Sequence, residues 1–272
     1  MINNLRYELS FKNILQLEEK LNFYKSNNIN KINIPCKGVI KKEFLNNIVE
    51  FIGEKYNNFN VIYHYSLYHQ YTKNKEYSYL KFLNFIKKCN SYSKSEILLV
   101  SGSNKRKNFE VLDVLRELKS EKELKVNLGI AYNPYLENYY KISGERLRIQ
   151  EKISSGLIKS IWFQFGTDIK LLESEIKFLK ETLPNYSSNK NYNSVKFFGS
   201  LLIPSKQFIS RFRFRPWKEV FISDEFLDSL DDFYAFTRDL IECYLDNNIR
   251  PVIETESTSI RRLEDISNLL KQ

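Results

Sequence analysis

The sequence predicts an α/β protein, a single (β/α)8 TIM barrel spanning residues 1–272. Three observations predict it. Eight short runs of branched apolar residues recur along the chain, each followed by a segment with apolar positions at helical spacing. The runs show little polar alternation, as strands buried on both faces require. Between residues 96 and 168 the strand exits gather Gly, Ser, Asn and Asp, on the side where parallel-sheet proteins bind ligands. An open doubly wound sheet uses the same grammar, but Leu9-Ser10-Phe11-Lys12-Asn13 after the first strand lacks a dinucleotide glycine fingerprint.

The first strand is expected at residues 5–9, with Glu8 near its end, and a helix at 13–27 on Ile14, Leu17, Leu21 and Tyr24. Residues 31–35 form the second strand, ended by Pro35 and Gly38, and 41–55 a helix with Phe44, Ile48, Phe51 and Ile52 on one face. The third strand, 60–67, holds His64 and precedes a helix at 75–89. The next three units pair 96–101 with 108–119, 125–131 with 144–156, and 160–165 with 169–182. A polar stretch then leads to the seventh strand at 195–203, followed by Arg211 to Trp217 and a helix at 224–247. Residues 251–255 and 259–270 close the series.

A hydrophobic content of 42% and a charged content of 28% suit a folded soluble protein, and the 15% aromatic share excludes broad disorder. The net charge of +9 suits an anionic partner. The basic residues are spread out, without the stripe expected of a nucleic-acid binder. Cys36, Cys89 and Cys243 fit no metal spacing, and with only His64 and His69 available a His-rich metal site is excluded. A sparse, odd cysteine count points to reduced thiols. No apolar run reaches the ~20 residues of a membrane helix, and the first residues lack the apolar core of a signal peptide. A cytoplasmic protein is expected.

Several strand-exit residues are candidates for chemistry. Gly102, between Ser101 and Ser103, permits close backbone approach to a flat ring. Asn104-Lys105-Arg106-Lys107 reads equally as an anion-holding loop and as a solvated turn. Glu145, Arg148 and Lys152 share a helix face, and read equally as an anion site and as paired surface charges. Taken alone, Glu8 reads as a solvated carboxylate and His64 as a satisfied core histidine. Glu254 and Glu256, near the last strand exit, read as loop acids or ion-pair partners.

Taken in order, these residues resemble the methylenetetrahydrofolate reductases. The resemblance is carried by Glu8 in Tyr7-Glu8-Leu9-Ser10-Phe11, His64 in Tyr63-His64-Tyr65-Ser66, and Leu99-Val100-Ser101-Gly102-Ser103. It continues through Gly129-Ile130-Ala131-Tyr132-Asn133-Pro134, the helix with Glu145, Lys152 and Gly156, and Gln164 in Trp162-Phe163-Gln164-Phe165. It covers residue 5 to about 270; the motifs are short, and their collinear order carries the specificity. Gly199 to Trp217 look like a divergent branch.

The resemblance implies a flavoprotein of one-carbon metabolism and methionine biosynthesis. It would reduce 5,10-methylenetetrahydrofolate to 5-methyltetrahydrofolate, with FAD as cofactor and NAD(P)H as hydride donor. Glu8 would be the general acid that protonates a folate nitrogen. His64, Ser101, Gly102, Ser103, Ala131 and Tyr132 would lie at the flavin, with Glu145, Arg148 and Lys152 at its ribose and phosphates. Gln164 and Arg215 would face the folate substrate. Ser103 stands where the family has Asp, Asn133 is an added residue, and the family's His after the Pro is missing near Tyr135 and Leu136. A bulge near Trp162 would reconcile the spacing to Gln164. The alternative is a folate- or flavin-binding barrel that has lost or changed the redox step. No metal and no membrane partner are expected, and a homo-oligomer is left open.

Overall fold

Eight strands close on themselves in chain order as a parallel barrel. The computed structural model describes residues 5–36, 44–92, 96–102, 109–121, 125, 127–186 and 195–271, without the side chains of 185, 186 and 271. The strands are β1 (Arg6–Glu8), β2 (Lys31–Ile34), β3 (Asn60–Ser66), β4 (Glu96–Val100), β5 (Asn127–Tyr132), β6 (Ile158–Phe163), β7 (Lys196–Leu201) and β8 (Ile249–Ile253). The ring closes where Arg6 pairs with Val252 and Tyr7 with Ile253. The expected (β/α)8 barrel is therefore the fold.

The outer layer holds α1 (Ile14–Ser26), α2 (Phe44–Lys55), α3 (Lys75–Tyr92), α4 (Val111–Leu118), α5 (Leu136–Tyr140) and α6 (Glu145–Ile153). It continues through α7 (Ile169–Thr182), α8 (Lys206–Phe214), α9 (Asp224–Asp228), α10 (Leu230–Asp246) and α11 (Ile260–Lys271). Side-chain oxygens of Asn13, Asp168, Ser205 and Ser229 accept the first-turn N–H groups of α1, α7, α8 and α10.

Strand alternation builds two apolar layers. Ile62, Leu98, Trp162, Phe198 and Val252 point inward as a small cluster in the barrel. Their neighbours, such as Tyr7, Ile32, Tyr63, Ile97 and Ile161, join the larger core beneath the helices. Burial on both faces is why the strands read as nearly continuous apolar runs. Gly199 on β7 lies on the helix side, where an added Cβ would collide with the Tyr244 ring of α10.

The structure departs from the sequence expectation at several places, among them the helix α8, which was not expected. β6 begins two residues earlier, and its irregularity with β5 falls where Leu128 pairs Ile158 and Gly129 pairs Ser160, so Lys159 rather than a residue near Trp162 is the extra one. The space beside Gly129 is taken by Ser160 Oγ and the Trp162 indole. The expected helix at 224–247 divides at Ser229, whose side chain accepts the Asp232 N–H and starts α10. β8 starts before Pro251, not at it. The short helix α5 is additional. The expected helix starts at 41 and 108 lie outside the described residues. Among the described residues, no helix is long and apolar enough to cross a membrane.

Candidate functional site

The most constrained polar group inside the barrel runs from Arg6 to Glu8 by way of β2 and β3. Glu8 ends β1 with its side chain buried, and its Oε2 lies 3.9 Å from His64 Nδ1, beyond hydrogen-bond length. Asn33 on β2, itself buried, places Nδ2 3.2 Å from His64 Nε2. Arg6 Nη1 donates to Asn33 Oδ1 at 3.4 Å. A guanidinium only donates, so it fixes the Asn33 oxygen towards itself and the amide NH2 towards His64. That NH2 also only donates, so Nε2 accepts and the His64 proton sits on Nδ1, facing Glu8. The edge of Trp162 packs against the imidazole at 6.2 Å between ring centres.

The exits of β4, β5 and β6 supply the neighbouring wall. Ser101 and Gly102 follow β4 half-buried, and Ser101 Oγ donates to Glu110 Oε2 at 3.3 Å. Gly102 has φ +79°, and a Cβ there would come within 2.6 Å of Tyr68 Cβ, so only glycine suits this turn. Ser103 lies outside the described residues. Ala131 is exposed although Trp162 of β6 is its strand partner, which leaves room for a flat ring on that wall.

Gln164 follows β6, takes its backbone bond from N–H to Tyr132 O at 2.9 Å, and turns its side chain back so that Oε1 accepts from Phe165 N–H at 3.0 Å. The side chain of Tyr132 is directed away from this wall. Alternation from Ala131 sends it beneath the helices, where it is buried and donates its hydroxyl to Glu175. Arg146 clamps the same carboxylate with Nη2 at 2.7 Å and Nε at 3.1 Å.

Glu145 opens α6 and binds the Arg148 guanidinium at 2.7 Å. Lys152 lies in the last turn of α6, one turn beyond Arg148 on the same face and about 10 Å along the axis from Glu145 at 1.5 Å per residue. Arg215 ends α8 in solvent. The chain then returns to the mouth, where Phe221 bridges Gly166, stacks on Tyr139 at 3.5 Å and accepts through its carbonyl from Thr167 N–H.

Two features escape the sequence reading. One is the supporting pair Arg6 and Asn33, which lack any motif; their only signal is inward strand parity. The other is a cavity of about 940 Å³ at the opposite end of the barrel, lined by Arg6, Lys31, Glu96, Lys196 and Arg250, each at or next to the start of its strand. Ser200 is a further inward residue, buried, whose Oγ finds no hydrogen-bond partner among the described residues.

No family model and no curated protein matches the sequence. Among solved structures, it is similar to catalytic-site mutants of active domain 2 of a thermostable chitinase from Pyrococcus furiosus, with a TM-score of 0.56 and 11% identity over 98% of this chain and 95% of that one. It is also similar to an aldo/keto reductase from Klebsiella pneumoniae in complex with NADP and acetate, with a TM-score of 0.51 and 8% identity over 99% and 85%. The likeness shows the fold alone.

Proposed function

We propose that this barrel is a reductase of the methylenetetrahydrofolate reductase kind, working at the mouth formed by the strand C-terminal ends. The observation that supports it is the buried Glu8 carboxyl beside His64 Nδ1, on the two strands where the resemblance expects an acid and a flavin-side histidine. FAD, when bound, supplies the two-electron carrier chemistry between NAD(P)H and the folate. The chain's own residues position and protonate. Glu8, with His64 Nδ1 beside its Oε2, would give the proton to a folate nitrogen as the bridging C–N bond opens. General acids so placed contribute about 10²–10⁴-fold.

Ser101, Gly102 and Ala131 would line the ring, and Arg148, steadied by Glu145, would meet the cofactor phosphates. Tyr132 offers only its backbone. Gln164 would hold the pterin edge. Lys152, one helical turn beyond Arg148, would extend the same anion-holding face, and Arg215 would touch only a substrate tail reaching out of the barrel. A cytoplasmic enzyme of one-carbon metabolism is the setting this reading implies.

The test is a pair of half-reactions on purified protein. Flavin absorbance near one per chain is expected, and Glu8→Gln should slow folate reduction about 10²-fold or more while NAD(P)H still reduces the flavin. A colourless protein that takes up no added FAD would sink the proposal. Equal loss of both half-reactions would move Glu8 from proton donor to structural support.

A further inference from the structure

The cavity at the strand N-terminal ends carries a charge that the fold does not use up. Four cations, Arg6, Lys31, Lys196 and Arg250, line it against one carboxylate, Glu96. Glu96 is already engaged: it accepts the Ser160 hydroxyl and stands 4.0 Å from Lys196 Nζ. Arg6 is largely spent on the barrel itself, donating to Ile32 O at 2.7 Å and Asn60 O at 3.0 Å. Arg250 is exposed and makes no hydrogen bond or ion pair among the described residues. Its guanidinium carbon, like that of Arg6, stands 5.9 Å from the centre of the Phe198 ring. The two arginines on one aromatic ring repel each other, and Glu96 is the one carboxylate of the described lining set against them.

Part of the wall between these charges is apolar. Phe59, Phe198, Leu245 and Leu270 line the same space, whose volume of about 940 Å³ is that of an organic ligand rather than of a bare ion. Fixed cations around an aromatic floor favour a molecule with phosphate groups at one end and a flat apolar body at the other. We propose that this cavity is a binding site for a small organic phosphate bearing two or more phosphoryl charges, separate from the mouth and independent of the chemistry proposed there. Arg250 and Lys196 supply the phosphate contacts, Arg6 fixes the floor of the basin, and Leu245 and Leu270 meet the apolar body.

Calorimetric titration with ADP and with inorganic pyrophosphate tests this on the full chain. Saturable binding of one ADP per chain is expected, tighter than pyrophosphate. Arg250→Gln and Lys196→Gln should each weaken ADP by about tenfold or more, the loss of a charged hydrogen bond. Both residues are exposed, so unchanged thermal unfolding without ligand shows that the fold is kept. Arg116→Gln, on the exposed face of α4 and outside both the basin and the mouth, should leave ADP binding unchanged. Absence of saturable ADP binding overturns the proposal, as does full affinity in both basin variants. Loss of binding in Arg148→Gln alone overturns it too, by assigning the nucleotide to the mouth. Pyrophosphate binding as tight as ADP overturns the role of the apolar wall.

Discussion

Asn33 decides which His64 nitrogen carries a proton, because Arg6 holds its oxygen and leaves its NH2 for the ring. Replacing it by a residue that only accepts should reverse the outcome. In Asn33→Asp, nitrogen NMR of His64 is expected to show a proton on Nε2; a ring still protonated only on Nδ1 would mean that Asn33 does not set it. Asn33→Leu removes the amide that His64 Nε2 and one Arg6 N–H share in a buried space and should cost about 1–3 kcal/mol in urea unfolding. Glu8 and His64 could be singled out in the sequence because each stands in a short motif at a strand exit. Asn33 could not: within Lys31-Ile32-Asn33-Ile34 it looks like any polar residue of a short strand. Tyr132 was misdirected for a related reason. Adjacent strand residues face opposite sides, so Ala131 and Tyr132 cannot both line the mouth, and sequence alone does not say which one does.

At the level of elements, the strand–helix succession was plain from periodicity, and the boundaries moved where side chains overrule it. β6 starts early because Ile158 pairs with Leu128 before the register shift, and Gly129 leaves its space there to Ser160 and Trp162. Ser229 cut a continuous helical pattern in two because its hydroxyl competes for a backbone N–H. The tightest of these contacts is between β7 and α10. Tyr244 lies over Gly199 and donates its hydroxyl to Ser200 O at 2.8 Å. Gly199→Ala should therefore destabilise the protein by about 1–3 kcal/mol through overpacking, read as a lower urea midpoint with unchanged slope. A neutral result would mean that the helix yields at no cost. The β7–α10 contact could not be foreseen, since sequence separation hides which helix covers which glycine.

For the whole molecule, closure of the ring depends on its shortest strand. β1 has three residues, and only two of them pair with β8. A clamp backs this seam: Lys20 of α1 donates to Ser10 O at 2.6 Å and binds Glu256 beyond β8. The Lys20 hydrogen bond, against some burial, holds the Glu256 carboxyl below its ordinary 4.5. The folded state thus binds fewer protons than the unfolded one in that acidic window, so this contribution is present above about 4.5 and lost as pH falls through the lowered value. Because Glu256 is largely exposed, Glu256→Gln should cost less than about 1 kcal/mol at neutral pH, and the difference should vanish in acid. A deficit that persists at low pH would assign Glu256 a role other than charge. Among the strands, hydrogen exchange should be fastest at β1.

The chain of contacts from Arg6 through Asn33 and His64 to Glu8 also has an evolutionary consequence. It joins the floor of the barrel to its mouth, so positions 6, 33, 64 and 8 cannot drift one at a time. A change tolerated at the floor alters what is tolerated at the mouth, and substitutions at Arg6 and His64 should be non-additive. Anyone grafting a new reaction onto this mouth would have to choose the floor residues with it.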